Sequence, residues 1–405
     1  MNPMNFAPRP PTDSTPASTK LLTREGDWAE GTVRAAWDDL LASSDNLDAT
    51  FQTPAWFRHA ARGTAGAVVE HFGPAGSADG IVPVVKAVES LEFVADRFVH
   101  GHVDLRAAIV LGGEPLIAPG LRAFDEVLSA VDAWAPDCDV ISFPLVRAGS
   151  PTWEALRTSR VVHDRFRLYV PLEPGSGEVH SIDLPPTFAG YTASLGAKKR
   201  ANFKRKLNVL VREGVPAKLR RFDRPEDVAD FLTLVRPIAA KSWQHAIGSP
   251  QLCETVDWAQ KLGDLAERGI FRGYVLFCGD VPTAFGLGYQ DCGTYHFRAT
   301  GFDAERASWS PGTVLMYLMI EDLLDHGARP VRHMCFCFGD ASYKRLFSNV
   351  HTESFHVLLL RRTWKNDLVR STHIGFRKLV KVAKRVLARM RPPETPATPA
   401  AAAEG

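Results

Sequence analysis

Two short segments hold residue types that could do chemistry together. Ala307 to Leu315 reads Ala-Ser-Trp-Ser-Pro-Gly-Thr-Val-Leu, and Phe338 to Phe347 reads Phe-Gly-Asp-Ala-Ser-Tyr-Lys-Arg-Leu-Phe. The first spells a helix start: Pro311 suits the first helical position, Ser310 can cap it, and the backbone N–H groups around Ser310, Gly312 and Thr313 would meet an anion. The second leaves a strand through Gly339-Asp340 into a turn carrying Tyr343 and Lys344. A phenol there could serve as a general acid, or as an aromatic anchor beside a solvated lysine. Asp340 could position an amine, bind a hydroxyl or cap the turn. Two strand exits separated by one helix face a common cleft.

Other polar residues could line the same cleft. His296 and Arg298 alternate on the strand expected over 294–299, so they share a face. His296 could relay a proton from an acceptor, or be a polar residue half-buried in the strand. Lys241, Trp243 and His245 follow a helix and could hold a sugar or phosphate, although a tryptophan in such a place more often joins the core. Lys198, Lys199, Arg200, Lys204, Arg205 and Lys206 crowd one helix, whose apolar face (Phe203, Leu207, Leu210, Val211) must pack. This density favours an anion site, with Arg200 and Lys204 as its substrate-binding members, over a merely solvated face. Cys335 and Cys337 form a Cys-x-Cys without the second pair or histidine spacing of a zinc site, and read as buried thiols; His100-Gly-His102 is equally incomplete. No Gly-x-Ser-x-Gly elbow or phosphate-binding P-loop appears, and with both ligand sets incomplete no metal is expected.

The elements that must position these residues form two halves. At 405 residues, two domains are expected. Hydrophobic content of 45% with 23% charged residues fits a globular protein, and a net charge of +2 offers no global field for nucleic acid, which is not the expected partner. Sparse, irregular cysteines point to a reduced, cytoplasmic setting. Residues 1–22 read as a disordered Pro/Ser/Thr-rich leader. Residues 23–175 alternate strand and helix, Pro171 to Pro186 reads as a linker, and 186–365 form the second domain. That domain opens with a long basic helix from Tyr191 to Glu213, then helices over 225–240 and 253–267. A three-strand meander follows over 271–299, then a helix from Thr313 and a strand over 333–338. The amphipathic helix over 371–391, rich in Lys and Arg, could lie on an anionic membrane surface or dock on the domain. Residues 392–405 read as a disordered tail.

The meander–helix–strand order of the second half is that of the acyl-CoA-binding core of GNAT acetyltransferases. Arg200 to Gly214, Gly301-Phe302-Asp303, Ser310-Pro311-Gly312, Gly327, Phe338-Gly339-Asp340 and Tyr343-Lys344 resemble the CelD/BcsL-like acetyltransferase family, whose architecture is similar to that of the FemAB aminoacyltransferases. The resemblance covers residues 190–350 and extends to the first half in layout only. It implies an α/β (α+β) fold of two tandem GNAT-like domains, each a mixed sheet flanked by helices. It further implies an N- or O-acyltransferase taking acetyl-CoA or another acyl-CoA, with a small-molecule, sugar- or lipid-linked acceptor in exopolysaccharide or cell-envelope biosynthesis. In that reading Ser310, Gly312, Thr313 and Lys344 bind the cofactor, Tyr343, Asp340 and His296 are catalytic, and Lys241, Trp243, Arg298, Arg200 and Lys204 bind substrate. The sequence departs from the GNAT phosphate loop by keeping one glycine and a proline. Two other readings stand beside it: a FemAB-like aminoacyl-tRNA-dependent transferase, against which the lack of an obvious coiled-coil arm argues, and a non-catalytic accessory protein of polysaccharide assembly.

Overall fold

The protein is described by a computed structural model covering residues 18–73, 76–95, 98–118, 120–171, 177–242, 257–327, 329–339 and 341–390. Asp340, Trp243, His245, Cys253, the first 17 residues and the tail beyond 390 lie outside the described residues.

In the first half the chain forms β1 (Ser18–Leu22), α1 (Glu25–Trp28), α2 (Gly31–Ser43), a 3-10 turn at Leu47–Gln52 and α3 (Pro54–Ala60). Thr53 accepts from the Trp56 N–H and Pro54 opens α3, as the N-cap pattern requires. Next come β2 (Gly66–Phe72), β3 (Ala78–Ala95), β4 (Phe98–Val110), β5 (Leu116–Ile117), α4 (Leu121–Trp134), β6 (Val140–Arg147), α5 (Pro151–Thr158), α6 (Arg160–Arg165) and β7 (Phe166–Tyr169). The second half runs β8 (Glu178–Asp183), α7 (Phe188–Ser194), α8 (Ala197–Arg212), β9 (Ala217–Phe222), α9 (Asp227–Ala240), α10 (Asp257–Glu267), β10 (Phe271–Cys278), β11 (Val281–Asp291) and β12 (Thr294–Phe302). It ends with α11 (Pro311–Glu321), β13 (His333–Phe338), α12 (Ser342–Phe347), β14 (Val350–Arg361) and α13 (Trp364–Met390).

Both halves follow one plan. An antiparallel meander is followed by a crossing helix, and the next strand returns parallel to the last meander strand. In the first half β4 pairs parallel with β6 at Ala107–Val140 to Ile109–Ser142. In the second, β12 pairs parallel with β13 at Thr294–His333 to His296–Cys335. Helices cover both faces of each sheet, so their strands read as near-continuous apolar runs. In the second half α8 and α11 enclose one core around Phe203, Leu315 and Met319, while α9 and α10 enclose another around Phe231, Val235 and Leu262. This is the tandem GNAT-like architecture, with a mixed sheet flanked by helices in each half.

Several expectations change in the structure. The expected linker contains β8, which lies between β13 and β14 in the sheet. Its sequence, Glu-Val-His-Ser-Ile-Asp, lacks an apolar run, so only pairing on both sides makes it a strand. The expected leader ends in β1, paired with β2. The basic helix is broken at Leu195-Gly196 into α7 and α8, and the meander gains a fourth strand, β9, paired with β10. The halves also exchange strands. β14 pairs with β8 over Val350–Glu353, then with β6 from Ser354 to Leu360, so one sheet runs through both.

The final helix docks on the first half, at least by its N-terminal part. Val369 and Ile374 pack beside Tyr169 and Leu358, Asn366 donates to the Asp139 carbonyl at 2.9 Å, and the Tyr169 hydroxyl meets the His373 ring. Further along, Leu379, Val382 and Val386 are exposed among lysines and arginines. Among the described residues no helix is long and apolar enough to cross a membrane.

Arg361, at the end of β14, locks this assembly. It donates to the carbonyls of Cys138 and Ala135, each at 2.7 Å, pairs with the Asp132 carboxylate and lies over the Phe166 ring. These carbonyls follow α4, where a guanidinium satisfies orphan acceptors and opposes the negative end of the helix dipole. Arg361→Ala should destabilise the protein by roughly 2–4 kcal/mol in urea denaturation. Arg361→Lys should recover only a fraction, because an ammonium lacks the planar fork.

Candidate active site

The site is built where β12 and β13 part. Their parallel pairing ends at His296 and Cys335, while β13 stays paired with β8 on its other side, with a register shift between Cys335 and Phe338. A bulge in β12 lies at the same level: Leu287 faces Ala299 and Gly288 faces Phe297, which leaves Arg298 as the extra residue. A bulge of this kind re-aims a side chain. Arg298 Nη1 thereby reaches the Cys337 sulfur at 3.3 Å. His296 turns to the same place, and its ring nitrogens and the sulfurs of Cys335 and Cys337 all lie within 4.8 Å of one another. His296 and Arg298, placed on one face by their spacing, do converge.

The first half supplies the fifth member. Asp48, in the turn Leu47–Gln52, is buried with its Oδ1 3.7 Å from His296 Nδ1, and the neighbouring Phe51 ring lies 4.5 Å from the imidazole. Thr50 fixes the turn by donating to the Asp291 carbonyl at 2.9 Å. Burial pushes the Asp48 carboxyl up to about 7, against the opposing pull of His296. The two thiols split. The Cys335 thiol hydrogen-bonds to Cys337, and with His296 and Arg298 holds Cys337 well below the ordinary thiol range, while Cys335 itself is raised. Cys337 also adopts a left-handed backbone, φ 57°. That is a strained setting for a side chain with a Cβ, of a kind that clusters at functional sites.

Tyr343, on α12, packs edge-on against Phe297 and Phe336, and its hydroxyl is pushed up to about 12, first by burial and then by negative charge on Cys337. Lys344 is buried with its ammonium on the carbonyls of Phe338 (2.7 Å) and Cys337 (3.4 Å), so it clamps the strand exit instead of facing outward to a phosphate.

The helix start of α11 stands at the far end of β12. Ser310 caps it through its backbone: it is left-handed at φ 54°, its carbonyl accepts from Thr313 and Val314, and its side chain makes no capping bond. A Cβ at Gly312 would meet only the Phe302 ring at 3.5 Å, so the helix start is open there. Lys206 donates to the Thr313 hydroxyl at 3.1 Å, and burial lowers its pKa. An ammonium beside a helix start left open at Gly312 is a fit place for a phosphate group.

The other expected cations are placed differently. Arg200 holds the carbonyls of Ala193 and Leu195 at the end of α7, and Lys204 is exposed on α8. Lys241 is paired with Glu305 at 3.0 Å and Asp303 at 3.5 Å, which raises its pKa and occupies its charge. Asp48 and Cys337 were not among the expected site residues. The one available signal for Cys337 was a Cys-x-Cys immediately before a glycine at a strand exit; nothing local marks Asp48.

The fold is GNAT-like in each half, a mixed sheet flanked by helices. The family model described as an acetyltransferase (GNAT) domain matches residues 197–345. The chain is similar in structure to FemX, with a TM-score of 0.56 at 10% identity over 81% of this chain and 96% of that one. Further similar structures are a conserved protein of unknown function from Bacteroides thetaiotaomicron (TM-score 0.49, 12% identity, 81% of this chain and 97% of that one) and a tandem GNAT protein from the clavulanic acid biosynthesis pathway (0.46, 12%, 85% and 98%). Comparison with curated protein sequences returned no match.

Proposed function

We propose that this chain is a GNAT-type transferase that moves an acyl or aminoacyl group from an activated carboxyl donor to an amine or hydroxyl. The parting of β12 from β13 carries the reading. There the parallel ladder ends beside His296, Arg298 and Cys337. From Arg298 to Phe302, beside Gly312, the strand advances about 13 Å. A donor with an anionic handle and a reactive carbonyl would span that length, its phosphate at Gly312, Thr313 and Lys206 and its carbonyl between the strands. Backbone N–H groups at the bulge would polarise the carbonyl, and Tyr343 would protonate the leaving group.

Two donors suit this arrangement, an acyl-CoA such as acetyl-CoA and an aminoacyl-tRNA. The likeness to FemX supports the FemAB-like aminoacyl reading, and the exposed cations Lys198, Lys204 and Arg205 on α8 would suit a larger polyanion. The acceptor is a small molecule or a sugar- or lipid-linked precursor of an envelope polysaccharide. The exposed apolar and basic face of α13 from Leu379 to Val386 would bring the protein to a membrane surface.

Calorimetric titration with acetyl-CoA and, separately, with charged tRNA tests the donor. Gly312→Glu and Lys206→Glu should each weaken binding by roughly 10–100-fold, the loss expected from one charge-assisted hydrogen bond. Tyr343→Phe should bind normally and turn over slowly. A folded protein that binds neither donor is an accessory protein and no transferase.

A further inference from the structure

We infer that Cys337 is an acyl-accepting nucleophile, so that transfer passes through a covalent thioester on this chain, with His296 and Asp48 completing a Cys–His–Asp relay assembled from both halves of the fold. The inference deepens the transferase reading and rests on it.

Four observations converge on the Cys337 sulfur. It stands two residues beyond the last parallel pair of β12 and β13, where the ladder ends and a donor carbonyl would lie. Arg298 Nη1 is 3.3 Å from it, and a guanidinium there favours thiolate over thiol. His296 is fully buried, and among the described residues neither ring nitrogen makes a well-aligned hydrogen bond, although its ring lies beside the two sulfurs and Asp48. A buried imidazole with both nitrogens unspent is costly unless it serves a reacting group. The left-handed backbone at Cys337 aims the side chain out of the strand pattern.

The charged and titratable groups around the sulfur are Asp48 with Glu114 behind it, His296, Arg298, Cys335, Tyr289, Tyr343 and the Lys344 ammonium on the Cys337 carbonyl. Their resultant lowers the Cys337 pKa, with the Cys335 thiol its largest cause. A cluster of two sulfurs and an imidazole could also bind a soft cation. The Arg298 guanidinium against one of those sulfurs opposes that and favours the nucleophile.

The steps balance. The thiolate attacks the donor carbonyl, forming an S–C bond; the bond from that carbon to the leaving group breaks, and the leaving group departs with its electron pair and takes a proton from Tyr343. The acceptor amine then attacks the thioester. The new C–N bond forms, the C–S bond breaks to regenerate the thiolate, and His296 takes the amine proton and passes it on to Tyr343. Asp48 stabilises the imidazolium.

The test uses the full chain and p-nitrophenyl acetate, an activated ester that does not depend on the donor site. A burst of one equivalent of nitrophenolate is expected, with one acetyl group mapped by peptide mass spectrometry to Cys337. Hydroxylamine, as acceptor amine, should discharge it. Iodoacetamide should label Cys337 well below the pH of an ordinary thiol, about 8.5. Cys292, which burial raises to about 12, is the internal reference and should label last. His296→Gln should slow acylation and discharge together, and Cys337→Ala should lower transfer by roughly 10³-fold or more. Acetyl absent from Cys337, wild-type transfer in Cys337→Ala, or stoichiometric zinc shielding both thiols until it is chelated would each overturn the inference. If neither donor binds but the ester still acylates Cys337, the donor reading fails and the nucleophile stands. Donor-dependent transfer surviving in Cys337→Ala leaves the transferase and removes the nucleophile.

Discussion

Asp48→Asn is expected to stabilise the protein at alkaline pH while slowing its chemistry. The Asp48 carboxyl is buried beside His296 and is raised from 3.8 to about 7. In the unfolded chain it ionises near its ordinary value, so between about 4 and 7 the native state holds a proton that the unfolded state has released. Stability therefore falls as pH rises through that window and levels off above it. Asparagine has the shape of the protonated acid and carries no charge to bury, so the variant should lack this slope. The gain should be close to zero near pH 4 and reach roughly 2–4 kcal/mol at pH 8. Urea denaturation across that range checks it; equal stability of the two proteins at pH 8 would show that Asp48 is not held protonated. Acyl transfer should fall most above about pH 7, where the wild-type carboxyl is ionised, because the amide cannot stabilise an imidazolium. A gain in stability at the expense of activity is what a strained polar site should show.

Gly288→Ala is expected to damage both fold and site. Gly288 lies on β11 opposite the bulge that releases Arg298, and a Cβ there would sit 2.5 Å from the His296 carbonyl oxygen and press on the Tyr295 ring. A backbone oxygen in a paired strand cannot swing aside as a long side chain would, so β12 must shift. The expected cost is roughly 2–4 kcal/mol by thermal denaturation. The displacement falls on the two residues that address Cys337, so low-pH labelling of that thiol should be lost in the fraction that folds. Gly312→Ala is the contrasting change: its Cβ finds ordinary contact with Phe302 alone, and stability should be retained. Wild-type labelling in Gly288→Ala would mean that the bulge does not position Arg298.

What the sequence by itself determined is local. The Asp303–Ser310 stretch ahead of a Pro-Gly helix start, the antiparallel meander with its glycine turns and the order of elements all rest on periodicity and turn chemistry between near neighbours. These were enough for the meander–helix–strand order and for the helix start of α11; alternation suggested a shared face for His296 and Arg298, but the bulge is what brings Arg298 to Cys337. Lys206 was visible among six cations, yet nothing local could choose it over Arg200; only the packing of α8 on α11 brings it to Thr313.

The rest was decided by tertiary structure, because it depends on contacts between segments far apart in the chain. β8 is a strand only because β13 and β14 pair with it on either side, and β14 joins the halves because its two ends find different partners. Asp48 carries no signal in its own neighbourhood. The fold sets its turn against β12, and only that brings its carboxyl within 3.7 Å of the His296 ring. Cys337 looked like a buried thiol beside Cys335. The bulge in β12, the left-handed turn of its backbone and the arrival of Arg298 give the two sulfurs opposite characters, and no spacing rule encodes that difference.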